Sequence, residues 1–280
     1  KQFTEAGFPI DLKYGDTETS AIPGVEAARS LINVEKVIAL IGAAASGVTL
    51  PIAESVAIPN QVPQISNAST SPLLTYLPAD KGKDFLFRTA PSDALQGVVL
   101  GRIAAEKGYK RAAVLWVNNA YGQGLMQEFK KSFESKGGEV VISVPHDEKP
   151  APTYVSELKK IMGSNPDVVL ALGYPGQATV YLKEFFEAGY QKKADLLFCD
   201  GTKSVKMPEA LGAKNLAGYV GTAPGSAGGK SLENFSNDYK EKYGEEPNIV
   251  AAEAYDAVKV VAYVMAKVGT KADDVKRGLY

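Results

Sequence analysis

Between Leu40 and Pro72 the chain gathers Ser46, Thr49, Ser66, Ser69, Thr70 and Ser71 among small apolar residues, with no His, Lys or Arg in the run. Hydroxyls without a base are poor nucleophiles, but they donate well to an anion. A hydrolase on a βα scaffold would need a Gly-x-Ser-x-Gly elbow and a histidine. Ala44-Ala-Ser-Gly-Val48 lacks the flanking glycines, and the sole histidine, His146, sits in Pro145-His-Asp-Glu-Lys-Pro150, which reads as a solvated polar connector. The nucleotide fingerprints also fail: Gln127 stands where a third glycine should follow Gly122-Gln-Gly124, and Gly201-Thr-Lys-Ser204 lacks the upstream phosphate-loop glycine. Asp16-Thr-Glu18 suits an Asx-type turn rather than a metal ligand set. The single cysteine, Cys199, excludes an internal disulfide and a cysteine metal site. No cofactor, no metal and no catalytic residue is therefore expected.

The local signals around the hydroxyls suggest how they are held. An apolar run ends at Gly42 and a helix is expected to begin near Ser46 or Gly47, with Pro51 in or near its first turn. Backbone N–H groups at a helix start, with a hydroxyl beside them, accept a carboxylate without a cationic side chain. Ile65-Ser-Asn-Ala-Ser-Thr-Ser-Pro72 repeats that logic at another strand end: Thr70 offers a hydroxyl and an N–H, and Ala68 a carbonyl. Ser46 and Thr70 equally suit ordinary N-caps.

The elements that must position these groups alternate. Strands are expected at Ile10–Tyr14, Val37–Ile41, Val62–Ser66, Phe85–Arg88, Ala112–Val117, Glu139–Val144, Val168–Leu172, Leu196–Phe198 and Tyr219–Thr222. Helices are expected at Ala21–Ile32, Asp93–Glu106, Tyr121–Ser135, Tyr154–Met162 and Gln177–Ala188, the last four stopped by Gly108, Gly137, Gly163 and Gly189. Short, uniformly apolar strands such as Val168–Leu172 suit a parallel sheet covered on both faces. Composition shifts at Thr89–Asp93 and Thr222–Gly229 mark hinge candidates. They divide the chain into a first lobe of residues 1–92 plus 223–280 and a second lobe of residues 93–222.

Charge narrows the partners. Lys and Arg number 31 against 32 Asp and Glu, a net charge of −1, so no global field favours nucleic acid or an anionic membrane. No apolar run approaches the roughly 20 residues of a membrane span. The chain starts at Lys1 without Met or a signal-like stretch and stops at Tyr280, so both ends read as truncated.

Gly42–Pro51, Pro63–Pro72 and Phe87–Asp93, followed in order by Ala113–Gly124, Pro166–Tyr174 and Ala252–Ala257, resemble the branched-chain amino-acid binding proteins of ABC importers, of the type I periplasmic binding fold. The resemblance spans essentially the whole chain. It implies an α/β fold of two Rossmann-like lobes with parallel sheets joined by hinge crossovers. It also implies a non-enzymatic, extracytoplasmic solute-binding protein, periplasmic or membrane-anchored. Such a protein is a monomer that captures a small amino-acid-like ligand in an interlobe cleft and passes it to a membrane permease. Alternatives of the same fold are a ligand-sensing domain or a protein for aromatic acids, amides or urea. By the same resemblance Ser46, Ala68, Ser69 and Thr70 correspond to first-lobe ligand groups and Tyr121, Tyr174 and Asp200 to second-lobe groups. Asp200, where many relatives carry Glu, would face the ligand's ammonium. On their residue types alone, Tyr121 also suits a half-exposed packing tyrosine and Asp200 a turn former.

Overall fold

The computed structural model describes residues 8, 10–225, 228–248 and 250–280. Its contacts divide the chain into two compact units, Lys1–Pro91 with Ser226–Tyr280, and Ser92–Gly225.

The first unit opens with α1 (Ala21–Asn33), then β1 (Leu40–Ile41), α2 (Ser46–Ile52), β2 (Gln64–Ser66) and β3 (Leu86–Arg88). The three strands pair in parallel in the order β1-β2-β3. They are shorter than their apolar runs because the flanking N–H groups bond elsewhere. Val37 donates to Leu31 and Val62 to Ala57, while Phe85 and Leu86 donate to the Asp80 carboxylate. Pro51 falls in the second turn of α2 rather than the first, and beyond it the helix loosens to π spacing over Ala53–Ala57. Ile10–Tyr14 joins no ladder. Leu12 and Tyr14 are exposed, and Lys13 pairs with Asp11 and Glu35 at 3.0 and 3.5 Å, so the alternation there has no core to face.

The second unit runs α3 (Asp93–Glu106), β4 (Arg111–Val117), α4 (Ala120–Glu134), β5 (Glu139–His146), α5 (Val155–Gly163), β6 (Val168–Leu172), α6 (Pro175–Glu187), β7 (Asp195–Phe198), α7 (Lys206–Leu211), α8 (Ala213–Leu216) and β8 (Val220–Gly221). Its five strands pair in parallel in the order β5-β4-β6-β7-β8. Alternate residues feed two cores. Ala113, Leu115, Val169 and Ala171 pack with Leu158, Tyr181 and Phe185, whereas Ala112, Val114, Leu170 and Leu172 pack with Leu100, Leu125 and Phe129. Helices therefore cover both faces, as the uniformly apolar strands require.

Helix α5 ends at Gly163 as expected, though the left-handed conformation falls two residues on, at Asn165 with φ 51°. One expectation fails here. His146 is not solvated. Strand β5 continues through Pro145 to His146 because it lies at the sheet's edge, where a residue without an N–H costs no ladder bond. His146 ends buried between the rings of Tyr154 and Tyr181.

The chain completes the first unit with α9 (Lys230–Tyr243), α10 (Ala251–Lys267) and α11 (Ala272–Gly278). Ala257, Val261, Val264 and Val275 pack on Ile65 of β2. A separate cluster of Ala28, Ile32, Val48 and Ile52 packs with Leu40 of β1. Of the expected hinge segment 222–229, residues 226 and 227 lie outside those described.

Candidate functional site

In the first unit the hydroxyl-rich segments meet at the carboxyl ends of β1 and β2. Four side chains tie the turn after β1. Ser66 Oγ donates to the Ala43 carbonyl (2.6 Å), Thr49 Oγ1 lies 3.0 Å from the same oxygen, Ser69 Oγ donates to Ala44 (3.0 Å), and Gln64 Nε2 donates to Gly42 (3.0 Å). Ser69 is fully engaged in this scaffold, with Thr49 Oγ1 a further 2.8 Å partner and its own N–H donated to Ser66 Oγ. Ser46 is the first residue of α2, not its cap, and its buried hydroxyl accepts from the Ser71 N–H at 3.2 Å. Arg88 of β3 braces the outer loop: Nη1 donates to the carbonyls of Thr70 (3.0 Å) and Ser71 (2.9 Å), and Nη2 to Thr75 Oγ1 (2.7 Å). Ser46 at the start of α2 and Ser69 and Thr70 in the loop after β2 thus belong to one hydrogen-bonded cluster, which Ala68 joins through its N–H, 3.4 Å from Ser66 Oγ.

In the second unit Tyr121, Tyr174 and Asp200 converge at the carboxyl ends of β4, β6 and β7. Asp200 opens a short 3₁₀ turn, Asp200–Thr202, after β7, but its side chain is no mere turn former. Its Oδ1 accepts from Tyr121 Oη (2.6 Å) and from Gln96 Nε2 (3.0 Å), and Gln96 also donates to Thr222 Oγ1 (3.0 Å). Burial raises the Asp200 pKa, opposed by those two hydrogen bonds. Tyr121, at the start of α4, is 3 % exposed, and burial holds its phenol well above the ordinary range. Its oxygen accepts from the Gly201 N–H (3.1 Å), and its ring stacks on Tyr174 with centroids 5.6 Å apart. Tyr174, just before α6, accepts from Asn119 Nδ2 at 3.2 Å. Gly122 permits this turn, since a Cβ there would lie 1.9 Å from the Val117 carbonyl oxygen. Cys199 is buried, its thiol pushed up to about 11 chiefly by desolvation, which leaves it a protonated packing residue at neutral pH.

The chain's sequence matches the family described as periplasmic binding protein over residues 1–280. The chain belongs to that family. Among curated members, a Leu/Ile/Val-binding protein homologue of Brucella abortus is 28 % identical over 269 residues, covering 94 % of this chain and 69 % of its own. A leucine-, isoleucine-, valine-, threonine- and alanine-binding protein of Pseudomonas aeruginosa is 27 % identical over 217 residues, covering 73 % and 53 %. Among solved structures, the leucine binding protein LivK of Thermotoga maritima superposes with TM-score 0.84 at 27 % identity, over 98 % of this chain and 77 % of that one. LivJ of Streptococcus pneumoniae, solved with isoleucine, gives 0.83 at 23 % over 99 % and 79 %, and shares the fold. The two parallel sheets agree with that fold. The family is one of solute-binding proteins, and among the described residues no helix is long and apolar enough to cross a membrane.

Sequence reasoning missed the residues that hold the periplasmic binding protein's polar clusters in place. Asn119 carried a readable signal, an N-cap residue before a helix, and it caps α4 through Oδ1, which accepts from the Gly122 N–H (3.0 Å). Gln96, Glu148 and Thr222 carried none, because their contacts join residues 29 to 126 positions apart.

Proposed function

We propose that the chain is a binding protein for a small zwitterionic, amino-acid-like ligand, held without a covalent step and delivered to an ABC permease outside the cytoplasm. The observation that carries this reading is Asp200: a half-buried carboxylate whose side-chain partners are a phenol and an amide, with no ion pair among the described residues. Burying a carboxylate without a countercharge is costly, and a ligand ammonium would relieve that cost. The first unit's cluster has the opposite character, neutral donors backed by Arg88, and suits a carboxylate. An α-amino acid carries both groups. Ser46, Ala68 and Thr70 are proposed to serve the carboxylate and part of the ammonium, Asp200 to face the ammonium, and Tyr121 and Tyr174 to complete the polar contacts. The Ser69 hydroxyl is engaged in the scaffold, so its part is to hold that loop.

The relatives named for leucine, isoleucine and valine support an aliphatic amino acid. A neighbour of the same fold, 22 % identical, was solved with 3,4-dihydroxybenzoic acid. An aromatic acid of that kind has no ammonium and would leave Asp200 unpaired. A sensing role is the second reading, favoured by a chemotactic substrate-binding relative, BasB of Halobacterium salinarum, 28 % identical over 64 % of this chain.

A thermal-shift screen of L-amino acids, aromatic acids, small amides and urea tests this. A ligand at 100 times its dissociation constant adds about 2.7 kcal/mol of stability. The expected result is a shift with an α-amino acid that disappears in Asp200→Ala. No shift with any amino acid, or equal shifts with acids lacking an ammonium, would overturn the reading.

A further inference from the structure

Tyr174 has little freedom left. Its ring is stacked on Tyr121 at an interplanar angle of 16°, so the torsion of its O–H is what remains to be set. A phenol can accept and donate, and which it does toward a ligand depends on its protein partners.

Asn119 settles this through an amide whose orientation is fixed at both ends. Its Oδ1 accepts from the Gly122 N–H at 3.0 Å, capping α4. Its Nδ2 donates one hydrogen to Glu148 Oε1 at 2.7 Å and the other to Tyr174 Oη at 3.2 Å. A flipped amide would set its carbonyl against the Glu148 carboxylate and its NH₂ against a backbone N–H, so the observed orientation is the only satisfied one. Glu148 is itself held, its backbone carbonyl accepting from Gln177 Nε2. Both Nδ2 hydrogens are thereby committed. The Asn119 nitrogen has no lone pair to offer, so the Tyr174 O–H cannot donate back to it. Among the described residues none accepts a hydrogen bond from Tyr174 Oη.

We infer that Asn119, clamped by Glu148, is a positioning residue that fixes the Tyr174 hydroxyl as a donor toward the ligand's anionic oxygen. This rests on Tyr174 being a ligand-facing group. Neither Asn119 nor Glu148 need touch the ligand; they act by deciding which way one proton points.

Two measurements test it. The first needs no ligand: the Asn119 side-chain amide is followed by ¹⁵N NMR in the full chain. Both hydrogens are expected to exchange slowly with water, one losing protection in Tyr174→Phe and the other in Glu148→Ala. The second is calorimetric binding of L-leucine and L-leucinamide. Asn119→Ser retains an N-cap, so the fold is kept while the amide donor is lost. It is expected to weaken L-leucine binding about tenfold, the scale of one charge-assisted hydrogen bond, with a smaller effect on the uncharged amide. In a Tyr174→Phe background the same substitution should have no further effect. Additive losses, equal losses for both compounds, or amide hydrogens that ignore both substitutions would overturn the inference. A wild-type chain that keeps both amide responses but binds neither L-leucine nor any other amino acid would instead overturn the proposed function, leaving the hydrogen-bond hub standing.

Discussion

His146 shows what single residues add to this fold. It is the only histidine in the sequence and is buried, its Nδ1 donating to the Asp147 carbonyl at 2.9 Å. The rings of Tyr154 and Tyr181 lie against it, and desolvation lowers its pKa despite the Asp147 and Leu172 carbonyls and the nearby charges of Asp147 and Glu157. With the native pKa below the unfolded value of about 6.5, the unfolded chain takes up a proton first as pH falls. Stability is therefore present above about pH 6.5 and lost as pH drops toward the native pKa, with a slope no greater than about 1.4 kcal/mol per pH unit for one proton. Urea midpoints followed by Trp116 fluorescence should fall between pH 7.5 and 5.5, and His146→Phe should flatten that fall; an unchanged slope would mean the imidazole titrates normally. The composition could not show this burial, because Pro145 reads as a strand end and only the sheet order reveals an edge strand that tolerates it. Asp200 differs. Its position after an apolar strand was legible through resemblance, whereas its partners Gln96 and Tyr121 lie 104 and 79 residues away.

At the scale of elements, the second unit's strands were legible nearly to the residue. Val168–Leu172 is buried along its whole length, and a run with no polar face has few other places to go. The first unit's strands were overestimated, because backbone donors claimed by Asp80 and by helix ends leave no trace in hydropathy. The seating of α3 on α4 was likewise hidden. A Cβ on Gly101 would lie 2.5 Å from Ser132 Oγ and 2.7 Å from the Phe133 nitrogen, and one on Gly97 would lie 2.7 Å from the Glu128 carbonyl carbon. The two helices approach backbone to backbone. Helix propensity alone would make Gly101→Ala stabilising by about 1 kcal/mol. The contact reverses the sign, and a net loss of about 1–3 kcal/mol is expected by denaturant titration. Leu95→Ala on the same helix, at a side chain 66 % exposed, should stay within about 0.5 kcal/mol of wild type.

Over the whole molecule, the nearly neutral balance of −1 conceals an uneven distribution of polar character. One unit gathers hydroxyls and backbone donors in front of Arg88; the other gathers Asp200, Glu148 and two phenols. The proposed function sets Asp200 against a ligand ammonium, so the central claim concerns that charge. Calorimetric titration should compare the α-amino acid giving the largest thermal shift with the same compound lacking its amino group, on wild type and on Asp200→Asn. Wild type is expected to bind the amino acid about ten- to a hundredfold more tightly than its deaminated counterpart, the worth of one charge-assisted contact to a half-buried carboxylate, and Asp200→Asn to erase most of that preference. A deaminated acid that binds wild type as tightly as the amino acid would contradict it.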